Sequence, residues 1–167
     1  MSGVVMVLGG PTAAGKSSLG IELALKHDAV IVSADAMTVY RGLDVGTAKP
    51  TEAERALVPH YGIDVVDPTD AFSVADLVDL VASVRDDHAR VLVVGGTPFY
   101  LRALVDPLAD LPAASPEVRS ELELIADLHA ALEAVDPQSA ARLHPNDRVR
   151  LVRALEVHRL TGSTLTE

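Results

Sequence analysis

The stretch "VVMVLGGPTAAGKSSLGIELAL", residues 4–25, carries the strongest signal for the fold. It joins a β-branched apolar run to the pattern Gly-x-x-x-x-Gly-Lys-Ser, which spans residues 10–17 and leads into a helical pattern. In such a loop the backbone N–H groups point at phosphate oxygens, and the following helix adds the positive end of its dipole. The stretch therefore predicts a strand, a phosphate-binding loop and a helix.

The side chains of this loop indicate its chemistry. Lys16 supplies a mobile positive charge to the phosphates, and Ser17 supplies a hydroxyl ligand for Mg²⁺. The other candidate phosphate-binding residues are Gly10, Pro11, Thr12, Ala13, Ala14 and Gly15. The motif does not specify the reaction, because nucleotide-binding kinases, hydrolases and other transferases all use it.

Further apolar runs extend the pattern along the chain. They are "AVIVSA" (29–34), "IDVVD" (63–67) and "VLVVGG" (91–96), and helical patterns separate them. Continuous apolar runs suit strands that are buried on both faces, and their alternation with helices predicts a parallel sheet. We therefore predict an α/β fold, a P-loop NTPase-like parallel sheet flanked by helices.

Helix start signals accompany the strand pattern. Thr51 with Glu54 and Ser73 with Asp76 fit the capping box, in which two side chains satisfy the first free N–H groups of a helix. After residue 112 the pattern is helical only, with starts near Ser115, Pro137 and Asn146. We predict one domain over residues 1–167, with a helical segment from about 113 to 165.

Composition excludes several classes of protein. The chain has no cysteine, which excludes disulfides, thiolate metal sites and a cysteine nucleophile. Its net charge of -10 argues against binding nucleic acid over its whole surface, although residues 142–159 are locally basic. The six histidines show no spacing typical of metal ligands. The apolar run at the N-terminus is too short for a signal peptide or a membrane span, so we expect a cytoplasmic protein without a membrane partner.

Two polar residues follow predicted strands at the carboxyl edge of the sheet, where ligands bind in open parallel sheets. Asp35 follows the second run, where a carboxylate can coordinate Mg²⁺ through water, accept a proton from a nucleophile, or close the strand with an Asx turn. Thr97 follows Gly95 and Gly96 and precedes Pro98, which predicts a helix N-cap beside a second anion pocket.

The stretch "SADAMTVYRGLDVGTAKPT", residues 33–51, contains more chemistry than a plain loop requires. Asp35 is followed within fourteen residues by Arg41, Asp44, Thr47 and Lys49, with glycines between them. This density of charged and hydroxyl groups predicts a functional loop next to the phosphate loop.

Together these segments resemble the tRNA dimethylallyltransferases, the isopentenyl transferase family. The matching stretches occur in the family's order from residue 4 to about 165. They are "GPTAAGKSS", "IVSADAMTVYRGLDVGTAKPT", "PHYGIDVVDP" with "FSVADL", "VVGGTPFYLRAL" and "LHPNDRVRLVRALEVHRLTG". The second and last are far more specific than the phosphate loop. The resemblance covers roughly the N-terminal half of a typical family member.

The resemblance implies an activity, transfer of a dimethylallyl group from dimethylallyl diphosphate to the exocyclic amine of an adenosine at tRNA position 37. Residues 10–17 would hold the diphosphate with Mg²⁺, and Arg102 would help to neutralise it. Asp35 would be the general base, and Thr97 would lie at the reacting centre. The positions that the resemblance assigns to the tRNA anticodon loop are Asp35, Ala36, Met37, Thr38, Thr97, Arg119, Arg150 and Arg153.

Departures from the family pattern keep other functions open. Ala36 and Thr38 stand where the family usually has Ser and Gln, near the acceptor base, and Val149 replaces a common Gln. The alternatives are an adenylate dimethylallyltransferase acting on free AMP, ADP or ATP, a small-molecule P-loop kinase, and a non-catalytic relative. The sequence leaves the oligomeric state open.

Overall fold

The computed structural model describes residues 3–106 and 111–166. The chain divides into two compact units, Met1–Leu108 and Ala109–Glu167. The boundary falls close to the residue at which the purely helical portion was expected to begin, and each unit has a hydrophobic cluster of its own. We expected one domain over residues 1–167; the division into two compact units does not test this expectation, which stays a prediction.

The first unit contains a four-stranded, wholly parallel sheet, as the alternating pattern predicted. The strands are β1 (Val4–Gly9), β2 (Val30–Ser33), β3 (His60–Tyr61) and β4 (Arg90–Gly95). Their order across the sheet is β1-β4-β2-β3, so β4, the last strand in the sequence, lies between β1 and β2. This order places the ends of β1, β2 and β4 side by side.

The third strand was placed wrongly by the sequence pattern. The run at residues 63–67 is not a strand; pairing with β2 occurs earlier, at His60–Tyr61. The reason is local backbone geometry, because Gly62 (φ 74°) and Asp64 (φ 56°) are left-handed and interrupt an extended chain. Within the run, Val66 forms only an isolated bridge with Tyr40.

Within residues 3–106, four helices accompany the sheet of the first unit. They are α1 (Lys16–His27), α2 (Glu52–Leu57), α3 (Val74–Asp87) and α4 (Pro98–Ala103). Both capping boxes are confirmed: Thr51 caps α2 with Glu54, and Ser73 caps α3 with Asp76. Alternate residues of β2 face the two sides of the sheet, so that Val32 packs with Leu77 of α3 while Ile31 packs with Ile21 of α1.

The second unit contains only helices among residues 111–166. They are α5 (Pro116–Glu123), α6 (Leu128–Val135), α7 (Pro137–Arg142) and α8 (Arg148–Thr161). The starts at Ser115 and Pro137 are confirmed, and α8 begins just after the expected start, with Asp147 as its N-cap. Helix α6, which the sequence reading did not separate, is capped by Asp127.

A transmembrane segment is not among these elements. Within residues 3–106 and 111–166, no helix combines the length and the apolar character needed to cross a bilayer.

Candidate active site

The predicted phosphate loop lies between β1 and α1. Gly15, the residue before α1, is left-handed (φ 75°), a conformation that glycine adopts without steric cost. No side chain of the described residues caps the helix, so the N–H groups of its first turn remain available for phosphate oxygens. Lys16 folds back over the loop, and its ammonium donates to the Pro11 carbonyl at 2.6 Å. An anionic ligand would compete for this ammonium at little cost, because the contact is exposed.

The two glycines that end β4 allow the chain to pass close to the loop. A Cβ on Gly95 would collide with the Ala34 carbonyl oxygen of the neighbouring strand end. A Cβ on Gly96 would lie 3.4 Å from the Gly10 carbonyl oxygen and 3.5 Å from Lys16 Nζ. The absence of side chains at both positions therefore keeps the phosphate loop beside the ends of β2 and β4.

Asp35 follows β2 at the same edge and is half-buried. Its Oδ1 accepts a hydrogen bond from the Met37 N–H at 2.8 Å, which is the Asx turn considered as the structural role. Its Oδ2 makes no hydrogen bond within the described residues. The turn therefore fixes the orientation of the carboxylate and leaves one oxygen for a ligand.

A cavity of about 640 Å³ joins these elements. Its polar lining includes Asp35, the phosphate loop from Thr12 to Ser17, and the side chains of Glu54 and His60. Apolar side chains line much of the remainder, namely Ile21, Ile31, Met37, Ala48, Pro50, Ile63 and Val94. A cavity lined by a cationic loop, by carboxylates and by apolar side chains suits a small ligand that carries both a phosphate group and an apolar group.

Of the other expected site residues, some line this cavity and others do not. Met37 and Thr38 line it, and the buried Thr38 hydroxyl lies 2.9 Å from Ser33 Oγ. The cavity lining does not include Gly10, Pro11, Ala36, Thr97 or Arg102. Gly10 and Pro11 still belong to the phosphate loop, and Ala36 packs against the hydrophobic core of the sheet.

The helix start that was expected beside a second anion pocket is present, and the pocket itself stays a prediction. Thr97 is the N-cap of α4 by position, but its side chain makes no capping hydrogen bond. Arg102 is turned to solvent, 80% exposed, and pairs with Asp106 at 3.0 Å. Exposed pairs of this kind are weak, so a ligand could recruit Arg102 from its present partner at small cost.

The arginines expected to contact tRNA belong to the second unit, and two of them share a carboxylate. Glu156, fully buried, accepts from Arg119 Nε at 2.8 Å and from Arg153 Nη1 at 2.6 Å. Burial alone would raise the pKa of Glu156, but the hydrogen bonds from Arg119 and Arg153 lower it to about 2. Arg150 is exposed and pairs with Asp147 at 2.7 Å. Arg119 and Arg153 therefore have a structural partner whatever else they bind.

Sequence reasoning marked Lys49 but gave it no role. The structure places its ammonium between Asp44 and Asp64, at 2.7 Å from an oxygen of each. Arg55 joins the same carboxylate of Asp64 at 3.0 Å. The density of charged residues in the stretch 33–51 was the available signal, whereas Asp64 could not be recognised as the partner because it lay in a run assigned to a strand.

The donor atoms of the site fit a phosphate-bound Mg²⁺ better than a metal held by protein alone. Among the described residues no group of three His, Cys, Asp or Glu side chains is placed to hold a metal ion. Ser17 and Asp35 both line the cavity next to the phosphate loop. A protein usually binds Mg²⁺ through one or two such oxygens together with substrate phosphates and water.

Comparisons with known proteins give a consistent family. The family model described as IPP transferase matches residues 38–167. The tRNA dimethylallyltransferase of Methylococcus capsulatus is 51% identical over 173 residues, which cover 98% of this chain and 55% of that protein. That of Halorhodospira halophila is 48% identical over 177 residues, which cover 100% of this chain and 57% of that protein. The chain spans about half the length of the curated relatives it matches.

Solved structures show the same likeness. A eukaryotic dimethylallyltransferase acting on tRNA superposes with a TM-score of 0.82 and 28% identity, over 98% of this chain and 43% of that one. A full-length tRNA isopentenylpyrophosphate transferase from Bacillus halodurans gives a TM-score of 0.58 and 39% identity, over 98% of this chain and 57% of that one. The predicted P-loop NTPase-like fold is confirmed by these neighbours and by the parallel sheet.

Proposed function

We propose that this chain, which belongs to the IPP transferase family, transfers a dimethylallyl group from dimethylallyl diphosphate to the exocyclic amine of an adenosine at tRNA position 37. The observation that carries the proposal is the cavity of about 640 Å³, which brings the phosphate loop and Asp35 together beside apolar walls. The relatives named tRNA dimethylallyltransferase support the same acceptor.

The proposed reaction breaks the allylic carbon–oxygen bond of the donor and forms a carbon–nitrogen bond to the adenine amine. Diphosphate leaves, and negative charge grows on its oxygens. The loop N–H groups and Lys16 stabilise that charge best where it develops. Mg²⁺, held by Ser17 and the phosphates, would supply further positive charge at the leaving group.

The acceptor is a weak nucleophile, so its position decides much of the rate. Asp35 is oriented by the Met37 N–H, and its Oδ2 is the oxygen that receives the amine proton. The adenine must leave its stack to reach the cavity, which costs less in a single-stranded anticodon loop than in a duplex. In the second unit, Arg119, Arg150 and Arg153 are the proposed contacts to the RNA backbone, with Arg150 the most exposed.

One assay tests the reaction and its alternatives. The chain is incubated with Mg²⁺, labelled dimethylallyl diphosphate and either an unmodified anticodon stem-loop or AMP. Prenylated RNA is expected. Prenylated AMP alone would indicate the adenylate enzyme. If neither acceptor is prenylated and the phosphoryl group of added ATP is transferred to an acceptor instead, the chain is a kinase. If the wild type binds the donor but modifies neither acceptor, this chain is not a transferase by itself.

Two variants separate the proposed roles. Lys16→Ala is expected to abolish donor binding, because it removes the mobile charge of the loop. Asp35→Asn is expected to bind the donor normally and to lower the transfer rate about a hundredfold or more, the usual contribution of a general base. Asp70→Asn, which neutralises an exposed carboxylate outside the cavity, is the matched control. A fully active Asp35→Asn variant would contradict the role of that carboxylate.

A further inference from the structure

One wall of the cavity is a segment that carries no charge on its inner face. Gly46, Thr47, Ala48 and Pro50 line the cavity, and Lys49 between them does not. The Thr47 hydroxyl is engaged, since it donates to the Leu43 carbonyl within its own loop. The segment 46–50, which we call the 46–50 wall, therefore presents mainly backbone and apolar groups to a ligand.

Lys49 is turned away from the cavity and is almost completely buried. Its side chain is 4% exposed. The ammonium donates to the Tyr40 carbonyl, to Asp44 Oδ1 and to Asp64 Oδ1, each at 2.7 Å. An ammonium has three N–H donors, so all of them are used. Burial alone would lower the pKa of Lys49, but the hydrogen bonds and charges of Asp44 and Asp64 outweigh it and raise the pKa.

The hydrogen bonds of Lys49 fasten the 46–50 wall to the backbone that follows Asp35. Asp64, one of the acceptors, donates its own N–H to the Thr38 carbonyl at 3.1 Å. It is also held by Arg55 at 3.0 Å. Lys49 therefore links the wall, through Asp64, to the segment that begins at Asp35.

We propose that the 46–50 wall binds the hydrocarbon part of the donor and that Lys49 is the positioning residue that holds this wall. The inference rests on the proposed function, because it takes the donor to be a prenyl diphosphate. The phosphate loop and Glu54 contribute charge to the cavity lining, and the wall contributes an uncharged surface. A hydrocarbon group gains from such a surface only if the wall is held in place before binding, since ordering a loose loop costs affinity.

The charges around Lys49 allow a clean test. Lys49 and Arg55 balance Asp44 and Asp64, so Lys49→Met leaves one excess negative charge near the cavity. That charge would weaken every diphosphate ligand alike. Loss of the wall would instead weaken only a ligand with a hydrocarbon group, so comparison of two ligands separates the two effects.

The experiment measures the binding of inorganic diphosphate and of dimethylallyl diphosphate by calorimetry in the presence of Mg²⁺. The wild type is expected to bind both. Lys49→Met is expected to lower the affinity for dimethylallyl diphosphate about tenfold more than the affinity for inorganic diphosphate. A loss of this size is typical when a small binding site is no longer held in its bound conformation. Arg41→Met is the matched control. It removes an exposed pair with Asp67 at 3.0 Å and an exposed hydrogen bond to the Val65 carbonyl at 2.6 Å, both outside the cavity lining, and is expected to change neither affinity more than about twofold.

The possible results distinguish this inference from the proposed function. If the wild type does not bind inorganic diphosphate, the proposed function fails. If it binds both ligands and Lys49→Met weakens them equally, or weakens neither, the role of the wall is wrong while the proposed function stands. Should Lys49→Met lose its fold by circular dichroism, Asp64→Asn is measured instead. It keeps the acceptor oxygen and removes its charge, and a selective loss of about threefold is expected; no selectivity would overturn the inference.

Discussion

Replacement of Glu156 by glutamine is expected to destabilise the second unit strongly, although the two side chains have almost the same shape. Glu156 is fully buried and accepts four hydrogen bonds, from the Ser115 N–H, from Arg119 Nε and Nη2 and from Arg153 Nη1. The amide group of glutamine would turn a donor towards these donors and would remove the charge that pairs with both arginines. The variant therefore leaves two partly buried cations without a counter-ion.

The expected loss in the free energy of unfolding follows from the pKa of the Glu156 carboxyl. It is lowered from 4.5 to about 2 by the two arginines against the opposing effect of burial. Such a lowering corresponds to about 3 kcal/mol of stability at neutral pH. Because the folded pKa lies below the unfolded one, this stability is fully present above about pH 4.5 and is lost as the pH falls towards 2. At about pH 3 only about 1 kcal/mol of it remains.

The assay is urea unfolding of wild type and variant at pH 7 and at about pH 3, with hydrogen exchange at the amides of α8 to report on the second unit. Glu121→Gln is the matched control, since Glu121 pairs with Arg159 at 2.7 Å on the surface. It is expected to cost less than about 1 kcal/mol. The proposed role of Glu156 would be refuted if Glu156→Gln lowered the free energy of unfolding no more than Glu121→Gln at pH 7, or if the difference in stability between wild type and Glu156→Gln did not narrow in acid.

Further predictions concern the first unit and are measured by chemical unfolding. Gly62→Ala and Gly42→Ala impose similar left-handed strain, at φ 74° and 73°, but a Cβ at Gly62 would lie 2.7 Å from the Ser33 carbonyl oxygen whereas Gly42 faces open space. Gly62→Ala is thus expected to cost at least about 1 kcal/mol more than Gly42→Ala, and equal costs would contradict the close approach. Ser73→Ala removes the cap of α3 and is expected to lower the free energy of unfolding by about 1 kcal/mol, with Ser83→Ala, an exposed position inside the same helix, as the control. Leu77→Ala empties a fully buried site beneath α3 and is expected to cost about 2–5 kcal/mol, against little change for the exposed Leu57→Ala.

The shared use of Glu156 affects how variants of the arginines are interpreted. Arg119→Ala and Arg153→Ala would each remove a partner of a buried carboxylate, so a loss of RNA binding in these variants would include a loss of stability. Arg150 is 73% exposed, and within residues 3–106 and 111–166 its one ion pair is with Asp147 at the start of its own helix. Arg150→Ala is therefore the informative variant for contact with RNA.

The sequence by itself determined the features that depend on neighbouring residues. The phosphate loop, the two capping boxes and the starts of α5 and α7 are set by hydrogen bonds and backbone preferences within a few residues. The parallel sheet also followed, because β-branched apolar runs alternating with helical patterns have few other ways to bury their side chains. Asp35 was predicted to be a site residue because the end of a buried strand is an unusual place for a carboxylate, and it does line the cavity.

Only the tertiary structure decided the pairings between distant segments. It moved β3 to His60–Tyr61, since the left-handed backbone at Gly62 and Asp64 is not evident from an apolar run. It showed that Lys49 points away from the cavity and binds Asp64, fifteen residues later, and that Arg119 pairs with Glu156, thirty-seven residues later. The physical reason is the same in each case. A charged side chain is buried only where another part of the chain supplies its counter-ion, and that partner is fixed by how the segments pack.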